Sequence, residues 1–147
     1  VTMGIRRLGW DLDWRKLMLY LLDKYTVDKV FVFIGYIEKN TLFYDFLRRC
    51  GYIIIFKPIM NDATIPIKGN CDADMVLYVA SKIHNYDGAV LLTSDGDFYS
   101  TVRFLYRRKK LCAVLSPHIE KCSRLLKREA QGKLDGMERL KNKIARI

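Results

Sequence analysis

The fold is decided by residues 89–98, which read AVLLTSDGDF. Ala89 to Thr93 is a run of apolar and branched residues of strand length, and it leads directly into an acidic turn around Gly96. Strands without polar alternation are typical of parallel sheets whose faces are both covered by helices. Helical spacing then follows from Phe98 to Lys109, so this stretch predicts a strand, a tight turn and a helix.

The same alternation of strand and helix continues along the chain. The other predicted strands are Val30–Ile34, Tyr52–Phe56 and Leu111–Leu115, and the other predicted helices are Asp13–Lys24, Lys39–Cys50, Asp72–His84, Glu120–Glu129 and Leu134–Ile144. Asp13 is a typical N-cap, Gly51 stands where a helix C-cap glycine belongs, and Pro58–Gly69 is a long connection. We therefore predict a three-layer α/β domain with a mainly parallel central sheet.

Length and composition indicate one ordinary globular domain. The 147 residues (17.2 kDa) are 50% hydrophobic and 29% charged, which suits a single domain over 1–147 with a helical extension from about residue 116. No apolar run is long enough to span a bilayer, and no secretion signal is visible. The four cysteines form no CxxC pair, which argues against a zinc site and a disulfide framework. We expect a cytoplasmic protein with reduced thiols.

Positive charge is concentrated in the last third of the chain. The net charge is +10; from Arg107 onward thirteen Lys/Arg face four Asp/Glu, whereas residues 1–106 hold thirteen against twelve. Such a tail suggests a polyanionic partner, nucleic acid before an anionic membrane. The alternative is a solvated face that only keeps the protein soluble.

Two acidic segments are expected at one edge of the sheet. Helix N-termini gather at the carboxyl ends of parallel strands, where ligands bind in open α/β folds. Asp72 opens a predicted helix and shares its apolar face, so its carboxylate should point inward, whereas Asp74 should face solvent. Asp95 and Asp97 flank a glycine that lets the backbone turn sharply.

Each of these aspartates also has an ordinary structural interpretation. Asp72 and Asp97 could be N-caps, and Asp95 a turn residue. Together, however, three carboxylates about 5 Å apart would repel by about 3 kcal/mol per pair at an effective dielectric near ~20. Mg²⁺ or Mn²⁺ would offset this repulsion, and an acidic metal site on a basic protein suits phosphodiester chemistry.

At these motifs the sequence resembles a known family. The segments KGNCDADMVLYVA (68–80) and AVLLTSDGDFYSTVRFL (89–105) resemble the NYN domain of the PIN-like nuclease superfamily, in its bacterial LabA-like branch. Supporting similarity lies in GWDLDWRKL (9–17), VFVFIGYI (30–37), YDFLRRCGY (44–52) and SPHIEKCSRLLKREAQGK (116–133). The resemblance therefore covers nearly the whole chain.

The resemblance implies a PIN-like fold and metal-dependent cleavage of RNA. It implies that Asp72 matches the acidic residue of the family's KGxD motif, and that Asp95 and Asp97 match the paired aspartates of its SGDGDF motif. Ser94 stands where the family often has glycine. The family's first strand, whose FIDGxN-type motif carries a further metal-binding aspartate, should lie upstream of Val1 and is not in this sequence.

The mechanistic hypothesis is hydrolysis by metal-activated water, with the aspartates as metal ligands and no protein nucleophile. Candidate phosphate contacts are Lys68, Ser94, Arg103, Arg107 and Arg108. The three arginines, together with Lys109 and Lys110, form a phosphate track along the helix after the acidic turn, and the alternative is a solvated run of charges. Tyr36, Tyr44, Tyr78, Phe98 and Tyr99 could stack on bases or simply pack in the core.

Other functions compete with a ribonuclease. A non-catalytic RNA-binding or scaffolding module would keep the fold and basic tail but lack the full ligand set. A phosphatase of the haloacid-dehalogenase type is a third reading, since SDGD (94–97) loosely resembles its late acidic motif. We expect RNA as partner and no membrane association, and exposed apolar positions on the C-terminal helices could support a homodimer.

Overall fold

A computed structural model describes residues 2–58 and 70–147. Its helices and strands alternate along the chain, with short 3-10 turns at Glu38–Asn40, Gly96–Phe98 and Met137–Leu140. In chain order the elements are α1 (Thr2–Arg6), α2 (Trp14–Tyr25), β1 (Phe31–Gly35), α3 (Thr41–Arg49), β2 (Ile53–Lys57), α4 (Asp72–Ser81), β3 (Ala89–Leu92), α5 (Tyr99–Arg107), β4 (Leu111–Ser116), α6 (Arg124–Ala130), β5 (Leu134–Gly136) and α7 (Lys141–Ile144).

Two predicted helix caps are confirmed. The Asp13 carboxylate accepts hydrogen bonds from the backbone N–H groups of Arg15 (2.9 Å) and Lys16 (3.0 Å), which satisfies donors that the first turn of α2 leaves free. Gly51 follows α3 with φ +97°, a conformation that glycine adopts without a Cβ clash. The chain thereby reverses from α3 into β2.

All paired strands are parallel, as predicted, but they fall into two sheets. β1 pairs with β2 from Phe31↔Ile53 to Gly35↔Lys57. The second sheet has the order β3-β4-β5, with β4 in the centre. The predicted α/β class is confirmed, while the single central sheet is replaced by two because β1 and β3 are not hydrogen-bonded to each other within the described residues.

The core lies on both faces of β4, which gives the second sheet its three layers. On one face Leu115 belongs to a cluster with Leu17 of α2 and Ile144 of α7. On the opposite face Val114 packs in a cluster with Leu105 of α5 and Leu126 of α6. Burial on both faces explains why the sequence of this strand shows no polar alternation.

The predicted helix Leu134–Ile144 is found only in part, because its first residues form a strand and the 3-10 turn Met137–Leu140 precedes a short α-helix. Residues 134–136 form β5, which pairs with Val114–Ser116, and only Lys141–Ile144 is α-helical. The apolar spacing that suggested a helix is real, since Met137, Leu140 and Ile144 are all buried. Residues 134–136 adopt the strand conformation because their pairing satisfies backbone hydrogen-bonding groups along one edge of β4. The predicted helix Glu120–Glu129 is found as α6, Arg124–Ala130.

The connection after β2 was predicted from Pro58 to Gly69, and residues 59–69 lie outside the described part. Among the described helices, none combines the length and apolar character needed to cross a bilayer.

Candidate active site

The acidic turn after β3 is held by hydrogen bonds to its own backbone. The Asp95 carboxylate accepts from the Asp97 N–H at 2.9 Å and so caps the 3-10 turn Gly96–Phe98. The Thr93 hydroxyl accepts from the Asp95 N–H at 3.1 Å. Phe98 is buried and anchors the turn in the core, while both carboxylates are exposed. The turn therefore presents two anionic side chains to solvent from a fixed backbone.

Gly96 is required by space. A Cβ built on it would lie 2.5 Å from Oγ and 3.1 Å from Cβ of Ser123. Ser123 precedes α6, and its N–H donates to the carbonyl of Ser94 at 3.3 Å. The connection between β4 and α6 therefore braces the acidic turn from the side.

Asp72 is the first residue of α4. Its N–H donates to the Asn70 side-chain oxygen at 2.8 Å, so Asn70 shapes the entry to the helix. Asp72 is half-buried and Asp74 is exposed, and the inward direction of the Asp72 carboxylate stays a prediction. α4 returns to β3 through the short connection of residues 82–88, so its N-terminus lies toward the carboxyl end of β3.

The described carboxylates do not form a three-ligand metal cluster. Across residues 2–58 and 70–147, no three His, Cys, Asp or Glu side chains are grouped so that they could hold a metal ion. The structure therefore does not bring Asp72, Asp95 and Asp97 into one group, and their joint role stays a prediction. Mg²⁺ is commonly held by one or two carboxylates together with waters and substrate phosphates. By donor type and number, the Asp95–Asp97 pair fits such an ion.

The sequence model of one protein family matches residues 2–135, and that family is the NYN domain. The chain belongs to the NYN domain family. Membership supports a nuclease-type function related to RNA, and it confirms the family to which the acidic motifs pointed.

A solved structure with this fold exists for a protein of unknown function, VPA0982, from Vibrio parahaemolyticus RIMD 2210633. The two structures agree with a TM-score of 0.72 at 18% sequence identity, over 94% of this chain and 84% of that one. At this identity the similarity shows the fold alone. No curated protein sequence matches the chain.

The predicted phosphate-binding residues of the NYN domain have different surroundings. Ser94 is exposed beside Asp95, and Lys68 lies outside the described residues. Arg103 donates two hydrogen bonds to the Glu129 carboxylate, at 2.8 and 3.0 Å, so its guanidinium already has an anionic partner. Arg107 and Arg108 are exposed at the far end of α5. At 1.5 Å per residue that end is roughly 15 Å from Asp97.

The aromatic candidates divide between core and surface. Phe98 and Tyr44 are buried, and the Tyr44 hydroxyl accepts from the Ile37 N–H at 3.0 Å. Tyr78 packs on the rings of Phe31 and Phe33. Tyr36 follows the carboxyl end of β1 with 45% of its surface exposed, and its ring contacts those of Tyr44 and Phe56.

Tyr99 is the last aromatic candidate. It is 37% exposed, and the Arg103 guanidinium lies 5.4 Å from its ring centroid. Its accessible surface is therefore shared with an arginine that Glu129 already holds.

One charged residue near the site was not singled out in the sequence. Lys57 ends β2, and its ammonium donates to the carbonyl of Asn70 at 2.7 Å. Burial raises the pKa of the nearby Cys71 thiol, and the positive charge of Lys57 acts in the opposite direction. The signal in the sequence was a lysine directly after the apolar run Ile53–Phe56. Lys57 places a positive charge beside the start of α4.

Proposed function

We propose that this NYN domain is a metal-dependent endoribonuclease with Asp72, Asp95 and Asp97 as its catalytic acidic residues. RNA would be the substrate and Mg²⁺ or Mn²⁺ the cofactor. The observation that carries the proposal is the braced turn of a NYN domain that presents two exposed carboxylates at the carboxyl edge of a parallel sheet.

The residues of the turn would have different roles in binding the metal ion and the phosphate. Asp95 uses one carboxylate oxygen to cap the turn and keeps the other available as a ligand. Asp97 adds a second carboxylate, and the Ser94 hydroxyl can donate to a phosphate oxygen. Asp72 contributes from the first turn of α4. The bound ion would supply an acidified water for attack on phosphorus and would stabilise charge on the leaving oxygen.

The decisive variant is Asp95→Asn. Asparagine caps helices as well as aspartate does, so the turn should keep its shape while a charged ligand is lost. Mn²⁺-dependent cleavage of a labelled single-stranded RNA should slow by about 10³-fold, because several kcal/mol of metal-assisted stabilisation disappears. RNA binding measured without metal should be retained. The matched control is Asp87→Asn, an equal charge change at an exposed position before β3. Unchanged cleavage by Asp95→Asn would reject the metal role.

A non-catalytic RNA-binding module is the second candidate. The absence of a three-ligand group among the described side chains favours it. If wild-type protein binds RNA but shows no cleavage above the Asp95→Asn variant with either metal, this second function is the correct one.

A further inference from the structure

A pocket lies at the opposite edge of the sheet from the acidic turn. Its volume is about 390 Å³, and it is lined by Tyr106, Arg107, Lys109, Gln131 and Lys133. These residues belong to the C-terminal end of α5, the turn into β4, and the turn from α6 into β5. The pocket therefore sits at the amino ends of the strands, whereas Asp95 and Asp97 follow the carboxyl end of β3.

The lining of this pocket is cationic. It contains three basic side chains and no acidic one, and none of the three forms an ion pair with a described carboxylate. The Lys133 ammonium donates to the carbonyl of Leu111 at 2.9 Å and lies 5.8 Å from the centroid of the Tyr106 ring. The Lys133 ammonium is thus held in place. Arg107 and Lys109 are exposed and have no carboxylate partner among the described residues. An anion would be attracted here.

Neighbouring basic residues are already engaged. The Lys110 ammonium donates to the carbonyls of Ile83 and Tyr86, both at 2.6 Å, and so links the start of β4 to the connection before β3. The Arg108 guanidinium lies 3.8 Å from the ring centroid of Phe104. Among the basic residues at this edge of the sheet, Arg107 and Lys109 of the pocket are therefore the ones left to bind an anion.

Two residues of the pocket have a left-handed backbone conformation that is usually occupied by glycine. Three described non-glycine residues have positive φ, and two of them, Lys109 (58°) and Gln131 (48°), line this pocket. Lys109 follows α5, with the Lys109 N–H bonded to Tyr106 O and the Lys110 N–H to Leu105 O, each at 2.9 Å. Glycine normally occupies this helix-ending position because a Cβ is strained there. Strained residues of this kind are concentrated at functional sites.

We propose that this pocket binds a backbone phosphate of RNA at a site separate from the acidic turn. Arg107 and Lys109 would contact the phosphate oxygens, while the Tyr106 ring and the Gln131 amide would face the adjoining nucleotide. The choice of RNA as the polymer rests on the proposed function. The phosphate chemistry rests on the pocket itself.

The test compares Lys109→Asn with Lys141→Asn in EDTA, where metal-dependent cleavage does not occur. Asparagine tolerates positive φ, so Lys109→Asn should fold, which thermal melting checks. Lys141 is an exposed lysine at the start of α7, and its replacement removes the same charge far from the pocket. Lys109→Asn should weaken binding of a labelled single-stranded RNA roughly tenfold and reduce the slope of log K against log salt by about 0.7. Lys141→Asn should change neither, and equal effects of the two variants would overturn the proposal.

Further arms separate the sources of phosphate. Amide resonances of Lys109 and residues 131–133 should shift with a short RNA, and inorganic phosphate should reverse that shift only at millimolar concentration. Lys109-dependent binding to anionic phospholipid vesicles, together with RNA binding that ignores Lys109, would overturn the RNA assignment. If the wild type does not cleave RNA but Lys109→Asn still weakens RNA binding, the endoribonuclease proposal fails while the pocket stands.

Discussion

At the scale of single residues, Gly96 shows what the sequence could and could not predict. The pattern Asp-Gly-Asp predicted a turn, and a turn is present. The reason for the glycine differs from the expected one, because Gly96 is not among the described glycines with positive φ. Its missing side chain makes room for Ser123, which is distant along the chain. A contact of that kind depends on tertiary packing and has no local signature.

Replacement of Gly96 by alanine should therefore destabilise the protein. The new methyl group has to displace Ser123, and overpacking of this kind costs about 1–3 kcal/mol. Urea denaturation should show a lower midpoint with an unchanged slope. Ser100→Ala, at an exposed position in the first turn of α5, is the control and should leave the midpoint unchanged. A midpoint equal to that of wild type for Gly96→Ala would show that the two loops are not in firm contact.

At the scale of elements, α5 and α6 are joined by a buried carboxylate. Glu129 of α6 is 8% exposed and accepts two hydrogen bonds from Arg103 of α5 and one from the adjacent Arg128. Hydrogen bonding to Arg103 is the main cause that lowers the pKa of Glu129 to about 2, with Arg128 and the charges of both arginines adding to it. Arg103, a candidate phosphate contact in the sequence, therefore also links the two helices.

This link makes a pH-dependent contribution to stability. The pKa of Glu129 is 4.5 unperturbed and about 2 in the folded protein. Between these values the unfolded chain binds more protons, so stability falls as pH decreases through this window and is fully present above about pH 5. The free energy of unfolding of Glu129→Gln should therefore depend less steeply on pH between 4.5 and 2 than that of wild type. Parallel curves for the two proteins would contradict this assignment.

Helices were predictable from the sequence where an apolar face with helical spacing packs against the core. The apolar face of α2 and its Asp13 cap were visible in the sequence. The segment after Gly132 was misjudged because its apolar spacing suits a helix, yet Leu134 to Gly136 completes a parallel sheet with β4. Strand pairing across about twenty residues overrides local periodicity.

At the scale of the whole molecule, charge is arranged by sheet edge. The composition predicted a basic C-terminal third, but only the fold shows that Arg107, Lys109 and Lys133 lie at the edge opposite Asp95 and Asp97. Helical geometry predicted that Asp72 points inward, and Asp72 is half-buried at the start of α4. Whether three aspartates meet depends on how separate connections pack, and no spacing rule determines that.

The position of β4 has a consequence for how the molecule opens. β4 has strand neighbours on both sides and is covered on both faces, whereas β1 and β3 each have one strand partner within the described residues. In a parallel strand with one partner, alternate amides point away from that partner. Deuterium exchange followed by NMR should leave Leu111–Ser116 protected longest, with alternating faster sites in Phe31–Gly35 and Ala89–Leu92. Uniform protection of all three strands would mean that the chain unfolds as a single cooperative unit.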